Sequence, residues 1–119
     1  MSCLLAQNSQ AEGAVRELSC EYERVCDAAG NCQDEDGTMI FTMEPQTVAD
    51  DGAGSFVIHY GDSQAPMQAA GYAGPFSWTL PGEQHTLLAS NETRFLWHQV
   101  TLAPQPQATI RFMRCRLTQ

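Results

Sequence analysis

The sequence predicts a mainly β protein: a single small antiparallel β-barrel or sandwich of about eight short strands, held by two disulfides. Three observations carry that expectation. Turn signals recur about every eight to twelve residues. The runs between them are rich in β-branched and aromatic residues, and four cysteines follow residue 11, an even number. A chain of 119 residues with 43% hydrophobic content has room for one domain and a core of limited depth, so the cysteines are the expected staples.

The elements are justified in chain order. Met1-Ser2-Cys3-Leu4-Leu5-Ala6 is a short apolar run, and Ser9-Gln10-Ala11 has the small-residue spacing that a signal peptidase reads. Residues 1–11 are therefore expected to be the remnant of a signal peptide or a disordered N-terminus, with residues 12–119 as the single β domain. Dropping that segment removes Cys3 and leaves Cys20, Cys26, Cys32 and Cys115. Over 14–26 two periodicities compete. Val15, Leu18, Tyr22, Val25 and Cys26 fit a helix stopped by Gly30, whereas Leu18, Cys20, Tyr22, Arg24 and Cys26 alternate against Ser19, Glu21 and Glu23. A strand over 18–25 is preferred because it lets Cys26 and Cys32 face each other across the Gly30-Asn31 turn.

Four cysteines allow three connectivities. The hairpin pairing Cys26–Cys32 leaves Cys20 for Cys115, tying the first element to the last. Closing so long a loop stabilises by about 4 kcal/mol in the chain-entropy model. Further strands are expected at 38–44, 55–60, 67–70, 76–80, 85–89, 93–102 and 108–117. Phe56, Ile58 and Tyr60 alternate with Val57 and His59, and Phe95, Trp97 and Gln99 with Leu96, His98 and Val100. Turns at Pro81-Gly82 and Ser90-Asn91 join the last four strands into a meander. Closing such a set into a barrel removes exposed edges.

The charge is acidic, net −8, and every one of the six basic residues is an arginine. Absence of lysine excludes Schiff-base, amine-nucleophile and P-loop chemistry, and the lack of a basic stripe argues against nucleic acid. Twelve acidic residues and two arginines fall in residues 1–62, giving −10; two acidic residues and four arginines fall in 63–119, giving +2. That asymmetry is either a solvated acidic rim or a surface that steers a basic partner.

No motif for chemistry stands out. Asp34-Glu35-Asp36-Gly37 invites a calcium reading, but with Gly37 at the sixth loop position Cys32 stands where the first Asp belongs and Met43 where the bidentate Glu belongs. The spacing of Cys20, Cys26 and Cys32 matches no zinc or thioredoxin-like pattern. His59, His85 and His98 fall on three expected strands with no spacing that asks for a metal, and His98 reads as a partly buried imidazole beside Trp97. Asn91-Glu92-Thr93 is a glycosylation sequon in form. No serine lies in a nucleophile elbow. Catalytic residues, metal sites and cofactors are therefore expected to be none. The aromatics Tyr72, Phe76, Trp78, Phe95 and Trp97 fit core packing, or else line a ligand pocket beside Met67 and Met113. From that group Trp78, Trp97 and Tyr72, with His98, form the candidate ligand or partner surface.

Several pieces of the chain carry a resemblance: the spaced Cys20, Cys26 and Cys32, the Gly74-Pro75-Phe76-Ser77-Trp78 turn, His85-Thr86-Leu87-Leu88-Ala89-Ser90, Leu96-Trp97-His98, and Ala108 to Phe112 with Cys115. They resemble small exported proteins of alphaproteobacteria, a likeness that implies a periplasmic location and no activity. In architecture alone the chain is similar to periplasmic inhibitors of C-type lysozyme, small disulfide-bearing β-barrels that meet a basic enzyme. The Ser-Gly-rich loop with a nearby Lys that those inhibitors use has no counterpart here. The functional expectation is a periplasmic or secreted, non-enzymatic binding or interaction module, not membrane-spanning. Alternatives are an inhibitor of a basic enzyme such as lysozyme, a carrier of a small apolar ligand, or a structural accessory of an envelope complex.

Overall fold

The structure is a computed structural model that describes residues 14–118. The expectations for residues 1–11, including the fate of Cys3, lie outside the described residues. Nine strands follow one another: β1 (Arg16–Asp27), β2 (Cys32–Asp34), β3 (Thr38–Val48), β4 (Gly54–Tyr60), β5 (Ser63–Ala69), β6 (Phe76–Leu80), β7 (Glu83–Ala89), β8 (Arg94–Thr101) and β9 (Gln107–Thr118). Every neighbouring pair is antiparallel. β1, β3 and then β4 to β9 run in sequence around a ring that closes where β9 pairs with β1, with β2 added beside β1. The fold is thus a closed eight-stranded barrel with one extra strand.

Period-2 alternation explains the closure. Inward positions of β4, β5 and β6 hold Phe56, Ile58, Tyr60, Ala65, Met67, Ala69, Phe76 and Trp78, all buried. Outward positions of β5 and β6 hold Gln64, Pro66, Gln68, Ser77 and Thr79, all exposed, and those of β4 hold the half-buried Ser55, Val57 and His59. Phe41, Ile58, Met67 and Leu87 are completely sequestered. Each such side chain stabilises by about 1.5–3 kcal/mol relative to an exposed one. Pro66 is tolerated because β5 is laddered to β4 along its whole length but to β6 only from Met67 onward. The missing N–H therefore sits where one neighbour is absent.

Both cystines have the expected partners. Cys20–Cys115 joins directly opposed residues of β1 and β9 inside the barrel, and Cys26–Cys32 joins β1 to β2 across the hairpin. The preference for strand over helix in the first element holds. β2 itself was not expected: three exposed residues carry no periodic signal. Along one edge of β1, β3 pairs with Arg16 to Glu21 and β2 takes over at Arg24 to Cys26. β1 bulges between Tyr22 and Arg24, at that handover. Gly37 makes the crossing possible: its φ is +144°, and a Cβ there would come within 2.8 Å of the Tyr22 ring.

Candidate functional site

The interior of the barrel is filled. Trp78 and Trp97 are only 3% and 5% exposed, so the packing alternative describes them. They converge on His85, a buried imidazole. Trp97 Nε1 donates to His85 Nδ1 at 3.1 Å, and indole N–H groups only donate, so the ring proton resides on Nε2. His85 Nε2 donates to Glu83 Oε1 at 2.9 Å. Trp78 stacks on the imidazole with centroids 5.0 Å apart and donates from Nε1 to the Tyr60 hydroxyl at 3.0 Å. Burial, only partly offset by the Trp78 hydrogen bond, pushes the Tyr60 phenol above its usual range. The buried donors and acceptors of this network are satisfied, which orders the core, and only its Glu83 carboxylate reaches solvent.

The four residues of the expected ligand or partner surface do not share a face. Trp78 and Trp97 point inward, while Tyr72 is 62% exposed at one end of the barrel. His98 faces outward on β8 and is exposed, correcting the expectation of partial burial: its neighbour Trp97 takes the inward position, and alternation turns His98 out. The three histidines are likewise dispersed. His59 sits on the outer face of β4 beside Glu44, with Nε2 and Oε1 2.6 Å apart, on a strand four places around the ring from β8. Among the described residues no group of three His, Cys, Asp or Glu side chains is placed to hold a metal ion. Asn91 acts in its own turn: its Oδ1 accepts from the backbone N–H groups of Thr93 and Arg94, both at 2.9 Å.

The two ends of the barrel differ, and sequence reasoning missed the residues that make them differ. One end holds the β1–β2 and β2–β3 connections and the β4–β5, β6–β7 and β8–β9 turns. Asp27, Asp34, Glu35, Asp36, Asp62 and Glu83 all belong to it, against the two cations Arg24 and Arg111. Its mouth is plugged by Arg111, whose Nε donates to Glu35 Oε1 at 2.9 Å and whose guanidinium lies over the Tyr22 and Trp97 rings. Burial is the main cause that raises the Tyr22 phenol, ahead of the opposing pull of Arg111. With Glu35 held by Arg111, Glu83 by His85 and Asp27 capping its own turn, the exposed Asp34, Asp36 and Asp62 have no ion pair among the described residues. Five of the acidic residues of the first half thus gather at one end with Glu83, while Glu17, Asp50 and Asp51 lie at the other.

The opposite end gathers the β3–β4 loop, the β5–β6 loop, the β7–β8 turn and the outer ends of β1 and β9. Its charges are close to balance: Glu17, Asp50, Asp51 and Glu92 against Arg16, Arg94 and Arg116. A cavity of about 370 Å³ opens there beside Arg16. The phase of the cysteines was the signal available for both inward-pointing, half-buried arginines. Arg16 is in step with Leu18 and Cys20, and Arg111 with Met113 and Cys115, so each had to point inward. No protein family, no curated protein and no solved structure matches this chain.

Proposed function

We propose that this protein is a non-enzymatic interaction module of an oxidising extracytoplasmic compartment, and that its acidic barrel end docks on a basic protein surface. The observation that carries the reading is the concentration of acid at one end whose mouth is closed. The plugged mouth leaves an outer surface on which Asp34, Asp36 and Asp62 make no ion pair among the described residues, Arg24 being the cation nearest in register, across the ladder from Asp34. Such a field accelerates encounter with a basic partner and disfavours acidic ones. Two disulfides support an oxidising location. The inward-apolar, outward-polar alternation of β4 to β6 is the reverse of what a lipid-facing barrel requires, which supports a role in water. Against catalysis stands the placement of the histidines: His85 is sealed in the core, and His59 and His98 lie on outer faces.

A basic enzyme such as a C-type lysozyme is the first partner to test. Binding measured by surface plasmon resonance at low ionic strength should weaken sharply at about 0.5 M salt, where screening is tighter than the roughly 8 Å of physiological salt. The triple variant D34N/D36N/D62N should lose binding in parallel. Tryptophan emission should stay constant, because both indoles are inside the barrel. Complexes with a panel of basic secreted proteins that ignored both salt and the triple substitution would rule the acidic end out as the docking surface.

A further inference from the structure

Arg16 opens β1 and points into the cavity end of the barrel. Its guanidinium lies 5.6 Å from the Tyr72 ring centroid and 5.8 Å from that of Phe76. Nη2 donates to the Tyr72 carbonyl at 3.1 Å, but Nη1 is buried with no hydrogen-bond partner. No carboxylate lies within ion-pair distance of Arg16 among the described residues. Removing a cation from water without a counter-charge is costly, and contact with two aromatic faces offsets only part of that cost. Burial also holds the guanidinium below its usual range. The adjoining cavity, about 370 Å³, is walled by Pro45, Val48, Phe56, Tyr72 and Leu117, with Asp50 at its lining as well. That size is at the lower end of small-molecule sites, whose walls combine apolar side chains with a few convergent polar groups. Here the charged groups are Arg16 and Asp50, the latter outside ion-pair distance of the guanidinium.

We propose that this mouth is a binding site for a small apolar monocarboxylate. Its carboxylate supplies the missing acceptor for Arg16, and its hydrocarbon part rests on Val48, Phe56 and Leu117. A planar guanidinium matches a carboxylate through two parallel hydrogen bonds, which an alcohol cannot reproduce. Tyr72 is the lid. Its ring is largely exposed yet covers Arg16, and it is seated against Gly52, where a Cβ would come within 2.7 Å of the Tyr72 backbone nitrogen. Entry of the acid displaces the ring from the guanidinium. The site is at the opposite end from the acidic docking surface, so the two readings stand or fall separately.

Titration of the full chain with hexanoate or benzoate, followed by methyl NMR, tests this. Val48 and Leu117 methyls should shift on addition of either acid, and Leu80, at the other end, should not. Hexan-1-ol and inorganic phosphate should each bind at least about tenfold more weakly, a difference of about 1.4 kcal/mol. R16M should lower hexanoate affinity by a similar factor, while Y72A should speed association. Equal binding of hexanoate and hexan-1-ol would overturn the proposal. So would Val48 and Leu117 methyls that stay still at saturating acid, as they would in a mouth already filled by another part of the chain. The wild-type comparison decides the matter even where R16M fails to fold.

Discussion

At the scale of single residues, His85 shows how a polar group becomes a structural one. It accepts from Trp97, donates to Glu83 and lies flat against Trp78, so removing it creates a cavity and strands an indole N–H together. H85A is expected to cost about 3 kcal/mol in urea unfolding. E83Q keeps an acceptor for Nε2–H and should cost less than about 1 kcal/mol. Asp27 gives a pH-dependent counterpart. Its carboxyl is held below the ordinary value of 3.8, first by the Asn31 backbone N–H, with smaller contributions from the Asn31 side chain and the backbone N–H groups of Ala29 and Gly30. A depressed carboxylate stabilises the folded state above its unfolded pKa, and that contribution is lost as pH falls through the folded value. NMR of the β1–β2 turn should therefore show Ala29 to Asn31 loosening below about pH 3.8, with the D27N variant insensitive across the same range.

At the scale of elements, the seams of the barrel are unequal. β1 and β9 share ten paired positions and a cystine, whereas β5 and β6 share three. Hydrogen exchange should find the amides of Met67 to Ala69 and of Phe76 to Trp78 opening well before those of Leu18 to Tyr22. Equal protection at the two seams would mean that the ring opens only as a unit. This inequality was half legible in the sequence. Seven of the eight ring strands announce themselves through alternation and turn residues, whereas β1 also carries a helical periodicity and is settled by the Cys26–Cys32 hairpin. Yet the start of β5 carries no such signal, because Ser63, Ala65 and Pro66 offer neither bulk nor β-branching, and the expected strand begins only at Met67. β2 was invisible because its pairing is imposed by the cystine and the handover on β1, both of which are tertiary. The same blindness hid the candidate sites: a composition count reports Arg16 and Arg111 as surface charge, and only the phase set by neighbouring cysteines turns them inward.

At the scale of the whole molecule, the two cystines differ in what they constrain. Cys20–Cys115 spans 95 residues and Cys26–Cys32 spans six. Chain entropy assigns them about 4.7 and about 2.3 kcal/mol respectively. Guanidinium unfolding of C20S/C115S should thus reveal roughly twice the loss seen for C26S/C32S, and a reversed order would locate the stabilisation in native packing instead. That larger figure depends on how the backbone is threaded. Glu17 is paired with Thr118, so the outer ends of β1 and β9 are side by side. Joining Thr118 to Ala14 by a short linker and cutting the β7–β8 turn would give a circular permutant with every ladder intact. In it Cys20 and Cys115 would clasp a local loop of roughly fifteen residues, and the bond's entropic contribution would fall from about 4.7 to about 3 kcal/mol although no atom around it had moved.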